Sequence, residues 1–148
     1  MTSPFVGIKL VKAGFFDPAK ILAAADQTHA QAQTKFGAFV RRRMKSSIRY
    51  RKAPAAAGQP PSAHRARGGK SPLRELIFFS RDQTTNSVVI GPLPFGRRGA
   101  HALEHGGPMT FKSRGQVRTG HMAARPFARP AGEAEAKAFP DTLRGLVK

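Results

Sequence analysis

The longest periodic pattern in the chain predicts one amphipathic helix of about 30 residues near the N-terminus. Apolar positions recur every three or four residues, which places them on one helix face: Leu22, Ala25, Ala32, Phe36, Val40, Met44 and Ile48. Asp17 and Pro18 are a typical N-cap and first helical residue, so we expect the helix to begin there. His29 falls on the same face, and we expect a core or boundary histidine rather than a metal ligand.

Short β-branched and alternating segments predict a small, mostly antiparallel sheet. The segment 84–94 contains "SVVIG" and ends at Gly-Pro, and a turn through "DQTTN" would pair it with "LIFF". "LIFF" itself belongs to 71–79, where Ser and Pro predict a helical turn before the strand. The segments 4–11, 109–113 and 116–127 predict three further strands, the last two joined at Gly115.

The C-terminal segment predicts a short second helix. Pro130 lies near its start and Glu133 and Glu135 in its first turns, and we expect Pro140 to break or kink it. The predicted architecture is α+β, with 1–148 as one domain in which a long N-terminal amphipathic helix packs on the sheet. The segment 51–70 predicts a long basic loop that can become ordered on nucleic acid or on a neighbouring subunit.

The composition leaves little material for a core. Leu, Ile, Val and Phe together make up 31 of 148 residues, or 21%, and the formal net charge is +18. Chains with less than roughly 20% of these residues and a high net charge tend not to fold alone. We therefore expect a folded chain that gains part of its order from partners.

The positive charge is concentrated in the middle of the chain. Residues 41–129 carry 19 Lys and Arg against 3 Asp and Glu. Such a block indicates an anionic partner, of which nucleic acid is the commonest, although "RRRMK" (41–45) also suits the C-terminal end of the helix dipole. The candidate residues facing DNA or a partner are Arg41, Arg42, Arg43, Lys45, Arg65, Arg67, Lys70, Arg97 and Arg98.

Several classes of protein are disfavoured. The chain has no cysteine, which excludes disulfides and thiol chemistry. It shows neither a signal peptide nor an apolar run of about 20 residues, so we expect a protein made in the cytoplasm and no contact with a membrane. No phosphate-binding loop or nucleophile elbow is found, and the motifs of sequence-reading nucleic-acid modules are missing. We predict no enzyme and no cofactor, and any nucleic-acid contact would be to phosphates.

"HALEHGG" (101–107) is the one stretch that resembles a metal site. His101 and His105 have the spacing of two zinc ligands on a helix. The flanking glycines, the basic surroundings and the lack of an obvious third ligand argue against zinc. The preferred interpretation is a packing turn in which Ala102 and Leu103 point inward and the two glycines permit unusual backbone angles.

An ordered set of segments resembles the neck and tail-completion proteins of tailed bacteriophages. "SVVIGPLP" is followed by "ALEHGG" and then by "MAARPFARPAGEAEAK", where Arg-Pro-Phe leads into the last helix. The helix ending in "RRRMKSSIRYRK", the "GQPP" loop and "SPLRELIFF" precede them. The resemblance spans 18–148 and depends on the order of the set, since no single motif is specific.

This resemblance implies a structural subunit of the virion, assembled in the host cytoplasm, at the head–tail junction. Such subunits form rings of about six or twelve copies around the DNA channel. The implied partners are further copies of the chain, other neck and tail proteins, and double-stranded DNA in the lumen, held without sequence preference. The position in the neck stays open between adaptor, stopper, terminator and tail-completion protein. The alternative is a sequence-independent nucleic-acid-binding protein that acts through its basic central block.

The same resemblance gives the motif residues structural roles. Leu103 would be buried, and Glu104 would pair with an arginine such as Arg125. The remaining motif residues would reverse the chain or anchor the last helix through Phe127: Gly106, Gly107, Arg125, Pro126 and Phe127.

Overall fold

The computed structural model describes residues 17–63, 72–93, 99–113 and 115–144. Within them, helices and strands follow in the order α1 (Pro18–Ser47), α2 (Pro72–Glu75), β1 (Ile77–Asp82), β2 (Ser87–Pro92), α3 (Gly99–His105), β3 (Gly107–Ser113), β4 (Gln116–Met122) and α4 (Ala128–Arg144). The predicted α+β class is confirmed. Outside the described residues lie the predicted strand 4–11 and the candidate basic residues Arg65, Arg67, Lys70, Arg97 and Arg98.

Helix α1 has the predicted start and length. It is 30 residues long, and the Asp17 carboxylate accepts hydrogen bonds from the backbone N–H groups of Ala19 (3.1 Å) and Lys20 (3.3 Å). An N-cap of this kind stabilises a helix by about 1 kcal/mol. The helix ends where Ile48 turns into an extended conformation. No helix in the described ranges combines the length and apolar character that crossing a bilayer requires.

Only the C-terminal half of the predicted apolar face is buried. Val40, Met44 and Ile48 are at most 3% exposed, whereas Leu22 is 65% exposed. His29 is also exposed, so the prediction of a core or boundary histidine is wrong. The neighbouring elements cover α1 from Ala32 onward. There the Gln33 side-chain amide donates to the carbonyl oxygen of Asn86.

Strands β1 and β2 form the predicted antiparallel hairpin, in which Phe79 pairs with Ile90. The Asp82 carboxylate closes the turn by accepting hydrogen bonds from the Thr85 hydroxyl (2.7 Å) and the Thr84 backbone N–H (2.9 Å). These hydrogen bonds lower the pKa of Asp82, and the bond from the Thr85 hydroxyl has the largest effect. The turn is therefore fixed by a local carboxylate rather than by an ion pair.

Gly37 is the point where α1 and this hairpin come closest. A Cβ atom at Gly37 would lie 2.5 Å from Cδ2 of Phe79 and 3.0 Å from Cγ1 of Val88. A residue that weakens an isolated helix thus permits the helix–hairpin contact.

The second predicted hairpin is also present, but it does not extend the first. Strands β3 and β4 pair antiparallel from Gly107 opposite Met122 to Ser113 opposite Gln116, and Gly115 takes a φ of 80° in the turn. In the described part of the chain each hairpin is a two-stranded sheet of its own. The prediction of one small sheet is therefore corrected to two separate hairpins, between which α3 intervenes.

Helix α4 lies against α1. The Phe139 ring meets the Phe36 ring edge-on at 5.0 Å between centroids, and Arg43 on α1 forms an ion pair with Glu135. The helix continues through Pro140 to Arg144, so the predicted break does not occur. A proline removes one backbone donor, and the packing of the adjacent Phe139 on α1 favours the helical path.

One small core joins these elements. It contains Val40, Met44, Ile48, Ala63, Ile77, Phe127 and Ala131. Among the described residues ten apolar side chains are buried, and five of them are alanines. The core is as thin as the composition predicts.

The part of the predicted loop that the structure describes packs on this core. Ala55 and Ala63 are buried, and the Ala63 N–H donates to the Arg49 carbonyl oxygen at 2.8 Å. The Gly58 N–H donates to the carbonyl oxygen of Ala124, also at 2.8 Å. Residues 51–63 are thus tied to both the end of α1 and the approach to α4.

Candidate functional site

The motif segments "ALEHGG" and "ARPF" meet in one junction, which we call the Glu104 joint and define as residues 102–107 and 122–129. The Arg125 N–H donates to the Leu103 carbonyl oxygen at 2.6 Å. The Gly106 N–H donates to the Ala102 carbonyl oxygen at 2.9 Å and ends α3. Two segments some 20 residues apart in sequence are therefore held by backbone hydrogen bonds.

Glu104 is the central side chain of this joint. Its Oε2 accepts hydrogen bonds from the N–H groups of Phe127 (2.9 Å) and Ala128 (3.0 Å), and its Oε1 accepts from the Arg129 N–H (2.8 Å). These are N–H groups of the first turn of α4, which lack partners inside the helix. The negative carboxylate also lies at the positive end of the helix dipole. The Glu104 side chain thus caps the N-terminus of α4 from a distant part of the chain.

The predicted pairing of Glu104 with Arg125 is wrong. Arg125 turns the other way and donates from Nε to the Ala55 carbonyl oxygen at 3.0 Å. Since backbone N–H groups already surround the carboxylate, the arginine is left to hold the 51–63 segment. Arg125 and Glu104 therefore fix two different neighbours of the same joint.

Of the other roles predicted for the motif, the buried Phe127 and the glycine turn are confirmed, whereas Leu103 is half-buried rather than buried. Phe127 is 1% exposed in the core, next to the half-buried Leu103 and Pro126. Gly106 and Gly107 have φ values of 73° and 126°, which side-chain-bearing residues rarely adopt. Residues 101–105 of "HALEHGG" belong to the seven-residue helix α3 (Gly99–His105), in which Ala102 is buried, so the predicted packing turn is corrected to a short helix followed by a glycine turn.

The two histidines of α3 are close to each other but have no third partner. The His101 and His105 ring centroids are 4.7 Å apart, and both residues are exposed. Glu104, the carboxylate between them in sequence, is turned to the α4 N-terminus. Among the described residues no group of three or more metal-ligating side chains is found.

Glu104→Gln is expected to lower the free energy of unfolding by about 1–2 kcal/mol, because the helix loses a charged cap and one of its two acceptor oxygens. Urea denaturation followed by circular dichroism measures the change. Glu133→Gln is the matched control, since Glu133 is an exposed partner of Arg129 on the same helix and exposed pairs contribute about 0–1 kcal/mol. Equal effects of the two substitutions would contradict the capping role.

The basic cluster at the end of α1 divides into structural and free side chains. Arg41 donates from Nε to the Ile77 carbonyl oxygen at 2.8 Å, and its guanidinium lies 5.7 Å from the Phe78 ring centroid. Arg43 is bound to Glu135. Successive helical residues point about 100° apart, so "RRR" cannot present all three side chains to one partner. Arg41 and Arg43 therefore leave the set of candidates facing DNA.

The remaining cations of this region are exposed, except for Lys45. Arg42 stacks on Phe39 at 5.2 Å and points away from the core, and Lys45 is half-buried in the last turn. Arg49, Arg51 and Lys52 follow the helix end, and all three are exposed. Within the described ranges these five cations make no ion pair. Sequence reasoning had assigned no role to Arg49, Arg51 and Lys52, although they continue the same basic run.

The acidic residues of the chain are almost all used internally. Asp17 and Glu104 cap helices, Asp82 closes a turn, and Glu133, Glu135 and Asp141 pair with arginines. The hydrogen bond that Arg129 donates to the Glu133 carboxylate raises the pKa of Arg129, and the negative charges of Glu133 and Glu104 add to this effect. By contrast, residues 27–74 contain twelve Lys and Arg and no Asp or Glu. Apart from Arg43, which pairs with Glu135, no cation of this stretch within the described residues has an acidic partner.

No family model, no curated protein and no solved structure matches the chain.

Proposed function

We propose that this chain is a structural subunit of a tailed-phage neck, a connector or tail-completion protein that assembles into a ring around the DNA channel. The ring is built from further copies of the chain and contacts other neck and tail proteins. The motif residues build the subunit rather than react with a substrate. The Glu104 joint supports this, since its backbone and carboxylate hydrogen bonds serve to fix the direction of α4.

The observation that carries the proposal is a thin core surrounded by exposed apolar side chains. Large apolar residues are exposed on α1, on both hairpins and beside them: Ile21, Leu22, Tyr50, Phe78, Val89, Leu93 and Val117. Every described residue from Gly115 to His121 is exposed, so most of β4 is supported only by its partner strand β3 among the described elements. Isolated two-stranded hairpins are only marginally stable in water, and contact between subunits would stabilise this one.

Val117 on β4 is the side chain chosen to test the proposal, since it is 62% exposed on the projecting hairpin. We expect the wild-type protein, freed of nucleic acid in high salt, to form closed rings in native mass spectrometry. Val117→Asp is expected to weaken assembly about a hundredfold, because a charge buried between subunits without a partner costs about 2–3 kcal/mol. Circular dichroism of the variant is expected to match the wild type.

The control for this experiment is Gln116→Asp, which adds the same charge at the next, equally exposed position. Neighbouring residues of a strand point to opposite faces, so this variant is expected to assemble normally. A wild-type protein that stays monomeric, clusters only with nucleic acid and disperses again with salt would contradict the ring proposal. That result would favour the alternative.

The alternative function is that of a sequence-independent nucleic-acid-binding protein without a ring. The observation that favours it is a set of exposed cations that make no ion pair among the described residues: Arg42, Arg49, Arg51 and Lys52. A phosphate binder loses affinity steeply with salt, whereas a ring held by apolar contacts loses little. Assembly in the absence of nucleic acid therefore separates the two functions.

A further inference from the structure

We propose that Arg42, Arg49, Arg51 and Lys52, here named the basic strip, bind the phosphate backbone of double-stranded DNA. This assignment deepens the proposed function, since it names the surface on which such a ring would meet the DNA that it encloses. All four side chains are exposed, and no ion pair occupies them within the described part of the chain.

The strip is held on the core of the protein. Met44 and Ile48, which lie between Arg42 and Arg49 in the sequence, are each 1% exposed. Arg42 precedes Met44 by two positions, about 200° around the helix, and so lies on the opposite side from the core. Beyond the helix end, the bridge between Tyr50 and Ala63 and the hydrogen bond to the Arg49 carbonyl oxygen fix the backbone. Cations presented from a fixed backbone lose less entropy on binding than cations on a free tail.

Neutralisation of the helix dipole does not account for the strip. Favourable interaction with the dipole falls off within the last turn, where Lys45 is the basic residue. Arg51 and Lys52 follow after Ile48 has left the helix, too far along the chain to serve its free carbonyl groups. Their exposure and charge therefore call for an anion from outside the chain.

The pattern of charge favours DNA over an acidic protein. Protein surfaces mix both signs, and a site for one usually mixes them too. The strip instead lies within 27–74, where no acid interrupts twelve cations, as expected opposite a uniform polyanion. Three of the four residues are arginines, whose planar fork matches phosphate oxygens. Tyr50, 43% exposed, lies among them with the Arg74 guanidinium 5.5 Å from its ring centroid.

The test is the salt dependence of binding to a mixed-sequence duplex of about 30 base pairs, measured by fluorescence anisotropy. In the strip variant, all four residues are changed to glutamine: Arg42→Gln, Arg49→Gln, Arg51→Gln and Lys52→Gln. Each neutralised phosphate contributes about 0.9 to the slope of log affinity against log salt, so the slope is expected to fall in magnitude by about 3–4.

A second variant removes the same charge from exposed positions elsewhere: Lys35→Gln, Lys112→Gln, Arg118→Gln and Lys137→Gln. Both variants lower the formal net charge of +18 by four. The control slope is expected to change by less than about 1. Thermal unfolding of both variants, compared with the wild type, establishes that the fold is kept.

Two outcomes would overturn the assignment. Equal changes of slope in the two variants would mean that only net charge matters. A strip variant that keeps its DNA slope but loses binding to polyglutamate would mean that the strip recognises acidic protein segments. Native mass spectrometry without DNA tests the ring separately, because the strip variant is expected to assemble as the wild type does. A wild-type protein that forms no ring but shows the strip-dependent slope would refute the proposed function alone.

Discussion

Replacing Phe127 with alanine is expected to lower the free energy of unfolding by about 3–5 kcal/mol. Among the described residues Phe127 is the largest fully buried side chain, and five of the ten buried apolar residues are alanines, which are too small to fill the space. Small domains are stable by only about 5–15 kcal/mol, so the variant should be largely unfolded at moderate urea concentrations. Urea denaturation followed by circular dichroism in the far and near ultraviolet measures the loss.

The control for Phe127 is Phe78→Ala, since Phe78 is 46% exposed on β1. Its removal takes away mainly the stacking with Arg41, and about 1 kcal/mol is expected. If Phe127→Ala folds and assembles like the wild type, then the hypothesis that Arg-Pro-Phe anchors the last helix through this ring is wrong.

Gly106→Ala is expected to lower the free energy of unfolding by about 2–4 kcal/mol, the second largest effect. Two causes act together at this glycine. Its φ of 73° is unfavourable for a residue with a Cβ. That Cβ would also lie 2.8 Å from the Met122 carbonyl oxygen and 2.9 Å from the Ala124 nitrogen, which are backbone atoms that cannot rotate away.

Gly115→Ala separates these two causes. Gly115 has a similar φ of 80°, but a Cβ there would meet nothing within 4 Å. Its substitution should show the conformational effect alone, about 1 kcal/mol. The difference between the two variants in the same denaturation experiment then measures the contact at Gly106. If the two losses are the same, the Glu104 joint has room to relax, and the close approach has no energetic consequence.

The start of α1, the presence of α4 and both hairpins were predictable because their signals are local, whereas α3 was expected to be a turn. Asp17 and Pro18 mark the start of α1, and the apolar period fixes which of its residues share a face. Periodicity does not reveal where a neighbour ends, so the exposure of Leu22 and His29 was not foreseen. Alternation likewise predicts each hairpin but not whether two hairpins share an edge.

The candidate site was predictable only where side-chain type decides the outcome. Phe127 is apolar and the glycines precede a chain reversal, so both were assigned correctly. Glu104 was given a guanidinium partner because opposite charges suggest pairs, whereas its real partners are backbone N–H groups that carry no residue-type signal. Arg41 was expected to face a partner, yet it donates to the carbonyl oxygen of Ile77. This backbone acceptor also leaves no signal in the residue types.

The close approach of Gly106 to Ala124 means that the chain enters and leaves the β3–β4 hairpin at one point. In topological terms the hairpin is an insertion whose two ends already touch. Lengthening such a loop adds only about 0.6 kcal/mol of closure entropy for each doubling. If two residues were added to each strand beside Gly115, every other side chain would stay on its present face of the hairpin. The length of this hairpin can therefore change with little effect on the stability of the core.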